Sequence, residues 1–159
     1  MLYFIISGVI TVVDFFVKRW TDAHLQKIGT LPIIENVFHL TYVENRGMAF
    51  GMLQNQRYFF ILTTIAVLVA IVVFMIKSCK SNRFLKTGLS FVLGGAAGNL
   101  IDRAWLGYVI DLFDFRLINF PVFNVADIFV CLGAFFVIMY FLIYDDNKKD
   151  CEKNENNNI

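Results

Sequence analysis

Gly94-Gly95-Ala96-Ala97-Gly98-Asn99-Leu100-Ile101-Asp102-Arg103 is the stretch from which the rest of this chain is read. It opens as a run of small residues and closes on strongly polar ones. At helical spacing Asn99, Asp102 and Arg103 stand at i, i+3 and i+4 and share one face. Bare glycine and alanine let another helix, or a substrate, approach the backbone closely. A charged cluster at the end of a membrane-length apolar segment is costly unless its members pair and serve a purpose. An ordinary helix end with a capping Asp–Arg pair gives the same local pattern. The weight therefore falls on whether other segments bring polar residues to the same depth.

The composition around this stretch is that of a polytopic membrane protein. The chain is 58% hydrophobic and 17% charged, against roughly 25% charged in soluble domains, and its mean hydropathy is +0.63. A net charge of +1 provides no electrostatic basis for nucleic-acid binding. Two Pro and 10 Gly leave no long flexible linker, so a single domain over 1–144 is expected. Cys79, Cys131 and Cys151 have no metal-ligand spacing and form no disulfide framework, and neither His24 nor His39 is near them. No metal or organic cofactor is expected.

From Met1 to Val13 the chain is uncharged and rich in Ile, Val and Phe. It lacks the basic start and small-residue cleavage site of a signal peptide and reads as a first span ending near Trp20. Asp14 and Lys18 stand at i, i+4 and can pair. An interfacial helix end accounts for Lys18 and Trp20, but less well for Asp14. Residues 21–56 are polar enough to lie outside the bilayer. There Val37–Val43 alternates in part and reads as a strand, followed by a turn at Asn45-Arg46-Gly47, so a small external sheet is expected. Met48–Leu53 is apolar enough to rest on the membrane or on a substrate. Tyr58–Ile76 is uncharged and reads as a second span. The loop Lys77–Lys86 carries Lys77, Lys80, Arg83 and Lys86, which places it in the cytoplasm. Thr87 to about Ala104 is the third span and Phe123–Tyr144 the fourth, joined by the external connection Trp105–Val122. Residues 145–159 are rich in Asn, Lys and acids and read as a disordered cytoplasmic tail. The expected fold is an all-α membrane protein of four transmembrane helices, both termini cytoplasmic, with a small external β-containing segment.

Depth brings the polar groups together. Counted from the cytoplasmic ends, Asp14 lies roughly 20 Å up the first span, Asn99 and Asp102 about 20–24 Å above Lys86, and Asp127 about 27 Å above Asp145. Against a hydrocarbon core of about 30 Å, all approach the outer boundary, where Asp111 is also tethered. Asp14, Lys18, Asn99, Asp102, Arg103, Asp111, Asn124 and Asp127 thus share one level. Neither a Ser–His or Cys–His set nor a phosphate-binding glycine loop occurs there. Carboxylates dominate, and two that share a proton can activate water, the charged one as base and the neutral one as donor to a carbonyl. Periodicity alone does not select the two.

Taken in order, these segments resemble the bacterial lipoprotein signal peptidases (signal peptidase II) from about residue 5 to 145. The stretch 94–103 matches the family's GGAxGNxxDR block. Val109-Ile110-Asp111 is similar to its VVD segment and Phe123-Asn124-Val125-Ala126-Asp127 to FNxAD. Asp14 and Lys18 fit D-x-x-x-K, and Asn45-Arg46-Gly47-Met48-Ala49-Phe50 fits N-x-G-x-A-F/W. The resemblance implies that Asp111 and Asp127 are the catalytic pair. It further implies that Asn99, Asp102, Arg103, Asn124 and Ala126 support the site, that Asp14 and Lys18 help hold it, and that Asn45 and Gly47 belong to an external sheet cradling the substrate. Phe15, Leu112, Ile128 and Met48 depart from the residues common at their positions, and none of the four removes a titrating group. Asp114 is a competing carboxylate outside the motif.

The implied activity is removal of prolipoprotein signal peptides just before a diacylglyceryl-modified Cys. The implied setting is the bacterial cytoplasmic membrane, with the site near the outer leaflet, membrane lipids as neighbours and a monomer as the working unit. A proton-coupled transporter is the rival reading and predicts charges spread through the bilayer. A non-catalytic scaffold predicts that Asp111 and Asp127 tolerate Asn.

Overall fold

A computed structural model describes residues 1–47, 54–77 and 82–156, with side chains in the last helix as far as Ile143. In chain order the elements are α1 (Leu2–Leu25), β1 (Thr30–Ile34), β2 (Phe38–Asn45), α2 (Arg57–Lys77), α3 (Arg83–Trp105), β3 (Val109–Phe115) and α4 (Val125–Asn156). Among the described residues, α2, α3 and α4 as far as Ile143 are long and apolar enough to cross a membrane. At 24 residues, α1 has the length, but it carries Asp14, Lys18 and Arg19. Its charges are turned inward: Asp14 and Lys18 are fully buried, while Val9, Val12, Val13 and Phe16 are exposed.

The central helix is α3, which packs against α1, α2 and α4. The small-residue run makes this possible on two faces. A Cβ on Gly98 would fall on the Asp14 carboxylate, and one on Gly95 would fall on the Ala126 carbonyl. Hydroxyls tie α1 to α3: Ser7 Oγ donates to the Ser90 carbonyl at 2.9 Å and Thr11 Oγ1 to the Gly94 carbonyl at 3.0 Å. Both ends of α3 are capped. Asn82 Oδ1 accepts from the Phe84 amide at 2.8 Å. Arg57 donates to the carbonyls of Arg103 and Ala104 at 2.8 and 2.7 Å.

The strand expected at Val37–Val43 is β2, but its two partners were not legible. The antiparallel sheet has the order β1-β2-β3. The β-rich part begins at Thr30, after α1 ends at Leu25, and the sheet is completed from the Trp105–Val122 connection. The reason lies in burial: Val109, Ile110, Asp111 and Leu112 are all buried. A short run covered on both faces loses the alternation that marks a half-buried strand. Register pairs Leu40 with Phe113 and then Val43 with Asp111, so β2 carries one extra residue beside Asp111. Such a bulge re-aims side chains locally.

Phe123 is not helical. It bridges to Phe113, and α4 starts two residues later. The α4 backbone stays helical to Asn156, past Asp145, where the composition suggests a disordered tail; extending a helix already nucleated by an apolar span costs little. Met48–Leu53 and the part of the basic loop around Lys80 lie outside the described residues.

Candidate active site

The site rests on a buried ion cluster between α1 and α3. Lys18 Nζ lies 2.8 Å from Asp14 Oδ2 and 3.2 Å from Asp102 Oδ2, and it donates to Asn99 Oδ1 at 2.9 Å. The i, i+4 pair read from the sequence thus forms and reaches across to the face of α3 that carries Asn99 and Asp102. An uncompensated charge here would cost several kcal/mol, and the cluster avoids that by pairing each group. Asp102 accepts from Arg19 Nη2 at 3.2 Å and from the Ile110 backbone amide at 3.2 Å. It therefore fixes the β3 residue immediately before Asp111.

The first turn of α4 docks on this base. Asn124 is its N-cap: Asn124 Oδ1 accepts from the Asp127 amide at 2.9 Å, and Asp127 Oδ2 accepts from the Asn124 amide at 3.2 Å. This is a reciprocal capping box built from Asn and Asp. The Ala126 amide, another donor left free at a helix start, is taken by Asp14 Oδ1 at 2.8 Å. Ala126 thus meets the cluster through its backbone, and its small side chain is fully buried.

The two carboxylates named by the resemblance are joined through amides. Asn124 Nδ2 donates to Asp111 Oδ1 at 2.6 Å and to Asn99 Oδ1 at 3.1 Å. Asn99 Nδ2 donates to Asp127 Oδ1 at 2.8 Å. From the sheet side, Asn45 Nδ2 donates to Asp111 Oδ2 at 2.9 Å, while Asn45 Oδ1 accepts from the Gly47 amide at 3.0 Å. Arg103 Nη2 reaches the Gly47 carbonyl at 3.3 Å and lies over the Phe60 ring.

Asp111 is 1% exposed. Burial, with the charge of Asp127 added, pushes its carboxyl up to about 7 against the pull of its Asn45 and Asn124 bonds and of Lys18. Asp111 therefore holds a proton to near neutrality, beside a second carboxylate bonded at the start of α4. A carboxyl pair that holds one proton can activate water, the charged group as base and the neutral one as donor.

A cavity of about 560 Å³ opens over the pair. Its floor is polar, from Asn45, Asn99, Arg103, Asp111 and Asp127, and its walls are apolar, including Phe120, Val122, Ile128 and Leu132. Every residue that the resemblance assigns to the site lies on this floor or in the cluster beneath it. Asp114 does not. It accepts from Thr41 Oγ1 at 2.8 Å and Arg116 Nε at 2.9 Å. Burial alone would raise its carboxyl, but these bonds outweigh it and hold it below the usual range. Sequence reasoning missed Arg19, Arg57 and the cavity wall around Phe120, Cys131 and Leu132. A basic residue after Lys18 looks like an interfacial anchor, and wall residues carry no chemical signature.

The family model described as Signal peptidase (SPase) II matches residues 6–143. The lipoprotein signal peptidase of Clostridioides difficile (strain 630) is 43% identical over 94% of this chain and 100% of its own length. The lipoprotein signal peptidase of Brevibacillus brevis is 44% identical over 94% of this chain and 99% of its own. Among solved structures, a bacterial membrane enzyme determined by the in meso method at 2.3 Å resolution superposes with a TM-score of 0.84 at 33% identity, covering 92% of this chain and 91% of that one. With the ordered motifs and the membrane helices already described, this match over nearly the whole chain makes it a member of the signal peptidase II family.

Proposed function

We propose that this chain is an aspartic membrane endopeptidase that removes the signal peptide from prolipoproteins just before the diacylglyceryl-modified Cys, with Asp111 and Asp127 as its catalytic pair. The observation that carries the pairing is the bonded path Asp111–Asn124–Asn99–Asp127 at the floor of an apolar-walled cavity. The pair shares one proton. The charged carboxylate takes a proton from water as the oxygen attacks the scissile carbonyl, and the neutral one donates to the carbonyl oxygen. Collapse of the tetrahedral intermediate breaks the C–N bond, a proton passes to the leaving amine, and the shared proton is restored. The two groups titrate jointly. Asn45 and Asn124 orient Asp111, and Asn99 orients Asp127.

In this reading α1 is a fourth span, the basic loop Lys77–Lys86 and both termini are cytoplasmic, and 1–144 forms one peptidase domain followed by the tail 145–159. The sheet and cavity then lie at the outer leaflet of the cytoplasmic membrane, where acyl chains meet water and a lipidated Cys resides. The chain works as a monomer among membrane lipids and does not involve nucleic acid.

The test is cleavage by purified protein of a diacylglyceryl-modified prolipoprotein and its unlipidated form, with Asp111→Asn and Asp127→Asn alongside. Only the lipidated form is expected to be cut, and each substitution should lower the rate by about 10²–10⁴-fold or more. Equal cleavage of both forms refutes the lipid requirement, and an active Asp111→Asn protein refutes the pair.

A further inference from the structure

We propose that Arg19 is a positioning residue for the catalytic pair, acting through Asp102 on the Ile110–Asp111 backbone and supplying the second cation that balances the buried carboxylates beneath it. The inference rests on the assignment of Asp111 and Asp127 as that pair. Asp102 has two oxygens: Oδ1 takes Arg19 Nη2 at 3.2 Å, while Oδ2 takes Lys18 Nζ and the Ile110 amide, each at 3.2 Å. Arg19 thus occupies the oxygen that would otherwise compete for Lys18 or swing away from the amide, and the amide it secures is adjacent to Asp111.

A basic residue near a helix end ordinarily extends its charge to the headgroups. Arg19 does not. Its side chain is 29% exposed, its Nε is buried with no hydrogen-bond partner among the described residues, and its guanidinium lies over the Phe15 ring. The charged groups of the buried cluster, its rim and the cavity floor come from several elements. α1 contributes Asp14, Lys18 and Asp22, the last 3.7 Å from Arg19 Nη1 at the rim and bonded by the Tyr42 hydroxyl of β2. α3 contributes Asp102 and Arg103, α2 contributes Arg57 at the end of α3, β3 contributes Asp111 and α4 contributes Asp127. Asp14 and Asp102 are balanced by Lys18 and Arg19, and Arg103 lines the cavity floor with Asp111 and Asp127. This buried set of four carboxyl groups and three cations is neutral only when Asp111 and Asp127 share one proton, which is the form that activates water.

Removing the Arg19 charge leaves one excess negative charge, so the pair holds its protons to higher pH. A unit charge about 10 Å away at an effective dielectric of about 20 moves a titration by about one pH unit. The partial exposure of Arg19 reduces this to about half a unit. The test is kcat and KM for the lipidated substrate from pH 5 to 9 with wild type, Arg19→Gln, Arg19→Lys and Asp111→Asn. For Arg19→Gln, kcat is expected to fall about tenfold with KM within about twofold, and both limbs of the pH profile to move up by about half a unit. Arg19→Lys should return the limbs to wild-type positions and recover most of kcat.

A pH profile for Arg19→Gln that superimposes on wild type overturns the proposal whether or not the rate falls, because lost folding lowers amplitude without moving the limbs. If Arg19→Gln does not fold, Arg19→Met, which also removes the charge, takes its place in the same assay. Limbs moved up by about half a unit with KM unchanged support the proposal, and limbs that superimpose on wild type, or a rise in KM at unchanged kcat, overturn it. An Asp111→Asn protein that cleaves like wild type instead refutes the assignment of the pair and removes the basis for this inference.

Discussion

Replacing Asp111 by Asn should inactivate the enzyme and stabilise it, in a way that depends on pH. The Asp111 carboxyl rises from 3.8 to about 7 on folding, so the native state binds this proton more tightly than the unfolded chain. Stability from this group is then complete below about pH 4, declines as pH rises toward 7, and levels off above it. A gap of about 3 units corresponds to ~4 kcal/mol of destabilisation at pH 8. An Asn at this position carries no charge and escapes that cost. Its amide nitrogen must face the Nδ2 donors of Asn45 or Asn124, which forfeits one hydrogen bond and about 1–2 kcal/mol. Asp111→Asn is therefore expected to be about 2 kcal/mol more stable than wild type at pH 8, and equal or slightly less stable at pH 5. In Tm this is a gap of about 4–8 °C at pH 8 that closes at pH 5. Thermal unfolding in detergent, followed by the fluorescence of Trp20 and Trp105, measures it directly. Every other titrating group is common to the two proteins, so their difference reports Asp111 together with its coupling to Asp127. A gap that is the same at both pH values would refute the claim that Asp111 is held protonated by burial and by Asp127.

Two further outcomes follow from the packing. Gly98→Ala should cost about 2–4 kcal/mol and at least tenfold in cleavage rate, because the new methyl falls on the Asp14 carboxylate that pairs with Lys18 and holds the Ala126 amide. Gly8→Ala, on α1 with nothing within 4 Å of a new Cβ, should be near neutral in the same melts and assays. Asp114→Asn should keep kcat/KM within about twofold and lose no more than about 1 kcal/mol, since it removes one partly exposed ion pair with Arg116. A large loss of kcat/KM would bring Asp114 back into the chemistry.

Much of this arrangement can be seen in the sequence because a membrane makes polar residues conspicuous. Asp14, Asn99, Asp102 and Asp127 stand out at the ends of apolar runs that have no other use for them, and the distance along each helix places them at one level. The small-residue run announces close helix packing in the same way. Less visible are contributions made by backbone. Ala126 presents an amide, Gly47 an amide and a carbonyl, and Ile110 an amide; no side-chain pattern marks such groups. β3 is hidden for another reason. Its residues from Val109 to Leu112 are buried on both faces, so the period of two is absent and a short apolar run remains. Arg19 was hidden because a basic residue beside an interfacial Trp20 has an ordinary explanation, and only the direction of its side chain distinguishes the two.

Asp111 and Asp127, the proposed catalytic pair, are held by the same contacts that start α4. At the N-terminus of a helix in water, solvent can satisfy the free amides. Here Asn124, Asp127 and the Asp14 carboxylate do so, and the same side chains reach Asp111 and Asn99. The amide of Asn124 is the point at which these roles meet: its oxygen caps the helix, and its nitrogen bonds both Asp111 and Asn99. The first turn of α4 therefore cannot form in its native place without bringing Asp127 into the bonded path to Asp111, nor fray without separating them. That coupling gives a physical reason for placing the site at the mouth of the helix bundle rather than in an external loop. The hydrogen-bonding requirement of this buried helix start keeps the two carboxyl groups together.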